Sequence, residues 1–231
     1  MINKQHVMEW HVTQNREYLE LCQKRLEQPI LTWVNQFIGI INEKILEDIL
    51  IKDVISINDF GCNVGHFFRG IKNIKTKAVY HGYDISQEYL KIAKKNFGTG
   101  NFSLIDISQI NSIDYIDFAD VSVISATLEH IENYEQAIKN IFDRTQSIVI
   151  IRTFIGDTRL KEICRTNGAE KSYLIRQFKI QDFEKLQKSI GWSMVKVEDI
   201  ATSGQFKFVC NNSSIRRKQE VIIFQKDICN E

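Results

Sequence analysis

The chain has 231 residues and a mass of 27.0 kDa. Thirty Lys and Arg against 29 Asp and Glu leave a formal charge of +1, with 43% hydrophobic and 26% charged residues. These values exclude intrinsic disorder, collagen-like repeats and simple polyanion binding, and the length fits one α/β domain, with or without a helical cap.

In chain order, a first helix is predicted around Asn15–Glu27. Pro29, the only proline, separates it from a second, whose Ile38, Ile41, Ile45 and Ile49 recur at helical spacing. From Ile55 the pattern becomes strand–turn–helix. Ser56–Phe60 reads as a strand, followed by glycines and a helix near Val64–Asn73. Ala78–Tyr83 is the next strand. Ser86 is placed to cap a helix carrying Leu90, Ala93 and Phe97 on one face. Strands follow at Phe102–Ile105 and Val121–Ser125, then a helix marked by Ile131, Tyr134, Ala137 and Ile141, then a strand at Ile148–Ile151. Such alternation predicts a parallel sheet covered on both faces. From Arg152 to Lys179 no strand is apparent, and so long a connection in a compact domain is often functional. Phe183, Leu186 and Ile190 mark a helix ending at Gly191. Strands near Met194–Glu198, Phe206–Cys210 and Val221–Gln225 close the chain and suggest an antiparallel edge.

No run approaches the roughly 18 apolar residues of a membrane span. Met1–Trp10 lacks the apolar core of a signal peptide. Cys22, Cys62, Cys164, Cys210 and Cys229 are scattered and form no C-x-x-C, so neither a disulfide framework nor a zinc site is indicated. A cytoplasmic location is the expectation. Residues 1–151 hold 15 basic and 19 acidic groups, and residues 152–231 hold 15 and 10. Seven of those later bases lie between Arg152 and Lys179. They read either as a solvated surface or as a pocket for an anionic substrate.

The informative segment is Asp59-Phe60-Gly61-Cys62-Asn63-Val64-Gly65-His66-Phe67. It follows the first strand and opens a helix, where glycine permits a sharp turn and close ligand approach. The dinucleotide pattern G-x-G-x-x-G fails at Asn63 and His66. The segment D-F-G-C-N-V-G instead resembles the acidic-x-G-x-G-x-G motif of class I S-adenosylmethionine-dependent methyltransferases. It departs only at Asn63, a residue type that tolerates positive φ. Gly82-Tyr83-Asp84-Ile85, Asp106-Ile107 and the Asp120–Ile131 segment with its L-E-H-I resemble the family's later motifs, in order. Tyr173–Phe178 and the helix after it resemble the late part of many small-molecule members.

The resemblance implies a Rossmann-like α/β fold. It has a seven-stranded, mostly parallel sheet with its last strand antiparallel and helices on both faces. Residues 1–53 would form an N-terminal helical cap on a methyltransferase domain of residues 54–231. The resemblance also implies that S-adenosylmethionine is bound by Asp59, Gly61, Cys62, Asn63, Gly65, Asp84, Ile85, Asp106, Ile107, Ser125 and Ala126. Asp84 would accept the ribose hydroxyls, and S-adenosylhomocysteine would be the product. Asp59 and Asp84 can also be read as helix caps, and Asp106 as a loop residue. His130 is the candidate catalytic base; it can equally pack on the cofactor or bond backbone. Some RNA methyltransferases bind a metal through E-x-x-E-H, but Ala126 stands at the first position, so no metal is predicted.

Arg152, Tyr173 and Arg176, with Arg159 and Arg165, are candidates to hold an anionic acceptor. Tyr18, Trp10 or Trp33 can line a lid. The expected activity is methyl transfer to an oxygen or nitrogen of a small molecule such as a sugar, nucleotide sugar or natural-product intermediate. An RNA or protein methyltransferase and a non-catalytic cofactor-binding partner protein are the alternatives. Neutral charge argues against nucleic acid, and a homodimer stays open.

Overall fold

The structure is a computed structural model that describes residues 16–47, 49–50, 52–98, 101–165, 172–208 and 216–226. Two helices lead, α1 (Arg16–Glu27) and α2 (Thr32–Leu46), separated at Pro29. Ile49 lies beyond the end of α2 but still packs on the core. Then come β1 (Val54–Phe60), α3 (His66–Gly70), β2 (Lys77–Asp84), α4 (Gln87–Phe97), β3 (Phe102–Leu104), β4 (Ala119–Ser125), α5 (Tyr134–Asp143) and β5 (Thr145–Ile155). The chain continues through β6 (Leu160–Arg165), β7 (Ser172–Gln177), α6 (Ile180–Ile190), β8 (Trp192–Glu198), β9 (Lys207–Phe208) and β10 (Arg216–Lys226).

The main sheet runs β3-β2-β1-β4-β5-β10-β8, with β9 paired to β10. β1 to β5 are parallel, and β10 is antiparallel to both β5 and β8. The last strand is thus the antiparallel one, one place in from the edge. Strand order reverses between β1 and β4, which opens a crevice at their carboxyl ends.

Ile148, Val149, Ile150 and Ile151 are all fully buried. Ile148 and Ile150 face one core with Phe37 and Ile41 of α2 and Tyr80 of β2. Val149 and Ile151 face the other, with Ile141 of α5, Phe183 of α6 and Phe224 of β10. A strand covered on both faces needs no alternation, which is why this run is continuously apolar. α2 therefore belongs to the main core. α1 is different: its Cys22 packs with Val64 and Tyr89, over the turn after β1.

The expectation of no strand between Arg152 and Lys179 is overturned. β5 extends to Ile155, and β6 and β7 form a separate antiparallel hairpin. The polar residues that broke the apolar pattern are buried with partners: Arg152 meets Asp199 and Thr153 meets Glu129. The last predicted strands shift slightly, with β9 at Lys207–Phe208 and Cys210 outside the described residues. Among the described residues no helix is long and apolar enough to cross a membrane.

Candidate cofactor and acceptor site

The chain leaves β1 through three left-handed residues: Gly61 (φ +72°), Asn63 (φ +54°) and Gly65 (φ +88°). A Cβ on Gly61 would stand 2.2 Å from Thr127 Oγ1. Gly61 and Cys62 donate their N–H groups to the Tyr83 carbonyl at 2.7 and 3.0 Å, tying the turn to β2. Asn63 supplies the positive φ that glycine gives in the usual motif, and its Oδ1 accepts from Val64 N at 2.8 Å. Gly65 sits behind the turn, where a Cβ would meet Phe97 at 2.9 Å.

Asp84, at the carboxyl end of β2, is 7% exposed. Its Oδ2 accepts from Asn63 N and its Oδ1 from Ser86 N, both at 2.8 Å. Burial pushes its carboxyl up to about 6. Asp59 accepts from the Tyr80 hydroxyl at 2.7 Å, and burial raises it to about 7. The Cys62 thiol is driven well above its ordinary range by burial, so it is a packing group and no nucleophile.

These residues open on a cavity of about 790 Å³. α1 roofs one end with Tyr18, Cys22 and Arg25, and Trp33 of α2 joins them. Tyr89 and His66 line that end too. Tyr89 Oη and His66 Nε2 are buried there with no hydrogen-bond partner among the described residues. Unmet polar atoms beside a carboxylate with one hydrogen bond on each oxygen fit a hydroxyl-rich ligand such as a nucleoside.

Asp59, Gly61, Cys62, Asn63, Asp84, Ile85, Asp106, Ile107, Ser125 and Ala126 all line the cavity. Asp106 is also committed to its own turn, accepting from Ser108 N, Ser108 Oγ and Gln109 Nε2. Ala126, at φ +51°, donates its N–H to the Arg152 carbonyl at 2.9 Å.

At the far end His130 lines the wall, and its Nδ1 lies 2.7 Å from the Leu174 carbonyl oxygen. A carbonyl only accepts, so Nδ1 carries the proton and Nε2 the lone pair. Burial lowers the imidazole to about 3, with the Arg217 charge adding to the effect. Beside it, Glu129 is fully buried, and burial raises its carboxyl to about 7.

The candidate acceptor arginines divide. Arg152 lines the cavity while its Nε and Nη2 grip Asp199 at 2.8 and 3.0 Å. Arg176 does not line it. Its Nε and Nη2 donate to the Ile131 and Glu132 carbonyls at 3.2 and 2.8 Å, and its guanidinium lies over the Tyr134 ring. Arg176 therefore pins the loop after His130 and does not hold an acceptor. Arg159 is an exposed partner of Asp182, away from the cavity. Trp10 and the side chains of Arg165 and Tyr173 lie outside the described residues. Sequence reasoning missed Cys22, Arg25, Tyr89, Thr127, Thr202 and Gln219. Of these, only Tyr89 had a local signal: it sits three residues after the Ser86 cap and donates its N–H to Ser86 Oγ. Among the described residues no cluster of His, Cys, Asp or Glu can hold a metal ion.

Residues 58–146 match a family model described as a methyltransferase domain. The matched segment holds the turn after β1, Asp84 and His130, and it is similar to a methyltransferase domain. Solved structures share this methyltransferase fold at low identity. An S-adenosylmethionine-dependent methyltransferase from Clostridium acetobutylicum is 15% identical, with a TM-score of 0.60, over 93% of this chain and 99% of that one. The magnesium protoporphyrin IX methyltransferase of Synechocystis, with bound S-adenosylmethionine, is 16% identical at TM-score 0.51, over 83% and 79%. Streptomyces venezuelae DesVI is 10% identical at TM-score 0.56, over 84% and 90%. Among curated proteins none matches the chain.

Proposed function

We propose that this methyltransferase uses S-adenosylmethionine to methylate an oxygen or nitrogen of a small molecule. The observation that carries the reading is Asp84. Its carboxylate is fixed by two backbone N–H groups at the mouth of the Gly61–Gly65 turn, facing the cavity. Each oxygen keeps a lone pair for a ribose hydroxyl. The left-handed turn lets Gly61 pack against Thr127, where a Cβ would collide with its side chain. When bound, the cofactor supplies an electrophilic methyl group on a sulfonium.

The chain's own task is alignment, which can supply roughly 7–11 kcal/mol. The α1 residues Tyr18, Cys22 and Arg25 line one end of the cavity and narrow it. His130 lines the cavity with its imidazole oriented by the Leu174 carbonyl, where it can help position the hydroxyl or amine to be methylated. With so low a basicity it orients that proton more than it removes it. A roofed cavity supports a small acceptor over a macromolecular one, and the relative named for magnesium protoporphyrin IX supports the same class.

The test is incubation with S-adenosylmethionine labelled in its methyl group, together with separated metabolite, RNA and protein fractions. Label in the metabolite fraction alone is expected. Label confined to RNA or protein overturns the acceptor class. No label with the cofactor bound marks a non-catalytic binder.

A further inference from the structure

Arg152 on β5 and Gln219 on β10 stand on the same face of the sheet, diagonal to one another across the antiparallel ladder. Both are largely buried, and both line the cavity. Asp199 engages Nε and Nη2 of the guanidinium, and Gln219 Oε1 accepts from Nη2 at 2.6 Å. That contact fixes the amide, because only its oxygen can face a guanidinium donor. Among the described residues, neither Arg152 Nη1 nor Gln219 Nε2 then has a hydrogen bond, and neither is sealed from the cavity. The two adjacent planar side chains, with four N–H groups on these two nitrogens, line the same cavity.

We propose that the methyl acceptor carries a carboxylate, held at this end of the cavity by Arg152 Nη1 and the Gln219 side-chain amide. The inference rests on the methyltransferase reading above and names its substrate class. Two planar donor groups suit the two oxygens of a carboxylate. The charge balance suits a single negative charge. Fully buried Asp199, held by Thr202 N and Thr202 Oγ1 at 3.1 and 2.6 Å, offsets the Arg152 charge. A site so balanced takes a monoanion better than a phosphate dianion.

The test uses the protein loaded with S-adenosylhomocysteine and three probes: benzoate, its neutral isostere benzamide, and inorganic phosphate. Binding is followed by chemical shifts of the Gln219 side-chain amide and by titration calorimetry. Benzoate is expected to bind saturably, at least tenfold more tightly than benzamide or phosphate. Gln219→Leu should weaken benzoate at least tenfold and leave S-adenosylhomocysteine affinity unchanged. Arg152→Met alone strands buried Asp199, so Arg152→Met/Asp199→Leu, checked by its melting curve, is the second variant. It should lose benzoate binding in the same way. Benzoate binding that is absent, that survives either variant, or that phosphate equals overturns the inference alone. Failure of the wild type to bind S-adenosylhomocysteine overturns the methyltransferase reading, and the inference falls with it.

Discussion

Leu174 of β7 holds the His130 imidazole, with Nδ1 lying 2.7 Å from its carbonyl oxygen. Two residues on, Arg176 ties down the Ile131 and Glu132 carbonyls. The β6–β7 hairpin thereby sets both the tautomer and the position of a residue on the cavity wall. Burial disfavours the imidazolium and holds the group near 3. His130 should therefore keep an unchanged C2–H chemical shift from pH 8 down to pH 5. A titration centred near the ordinary histidine value would contradict this placement. The linkage sign follows. His66, lowered by burial to about 4, behaves likewise, so both histidines withdraw stability as pH falls below 6.5 and the unfolded chain takes up protons.

Gly61 tests the turn. A Cβ there meets Thr127 Oγ1 at 2.2 Å and Cγ2 at 2.6 Å, in a backbone conformation that side chains rarely adopt. Gly61→Ala should destabilise the fold by about 1–3 kcal/mol and abolish cofactor binding. Gly61→Ala/Thr127→Gly removes the collision but not the backbone strain, so it should regain part of the lost stability. Additive losses in thermal melts of the two single variants and the double would refute the contact.

Glu129 gives the opposite pH sign. Its carboxyl is raised by burial from 4.5 to about 7, and Oε1 has no hydrogen-bond partner among the described residues. A carboxyl raised on folding contributes stability below its unfolded value and loses it as pH rises through the folded one. The loss runs at roughly 1.4 kcal/mol per pH unit between those limits. Glu129→Gln cannot ionise. The melting-temperature difference, variant minus wild type, should therefore be more positive at pH 8.5 than at pH 5. A difference independent of pH would show that Glu129 is charged throughout or protonated throughout.

The parts of the site visible in the sequence are those built by neighbours in the chain. The turn after β1 announces itself through Gly61 and Gly65, and Asn63 takes the left-handed conformation its residue type allows. Ser86 caps α4 as its position suggests. The β6–β7 hairpin was invisible because its strands are stabilised by each other, while local polarity reads as loop. The arginines misled for a related reason. Arg176 finds its partners 44 and 45 residues away, and Arg159 finds Asp182 23 residues on. A sequence shows that a guanidinium exists and leaves its commitment to the tertiary fold. Gln219 is hidden likewise, since only the pairing of β10 with β5 brings it beside Arg152.

The most direct test of the central claim is calorimetric titration of wild type and Asp84→Asn with S-adenosylmethionine and S-adenosylhomocysteine. Asparagine keeps the size of the side chain but gives up one accepting oxygen and the charge. Hydrogen bonds to charged groups contribute about 1.5–3 kcal/mol each, so the variant should bind at least tenfold more weakly. Because burial raises Asp84 to about 6, wild-type affinity should also fall as pH drops from 7.5 to 5, and the variant should show no such fall from this group. Equal affinity in the two proteins, or no binding of either ligand by wild type at pH 7.5, would contradict the account.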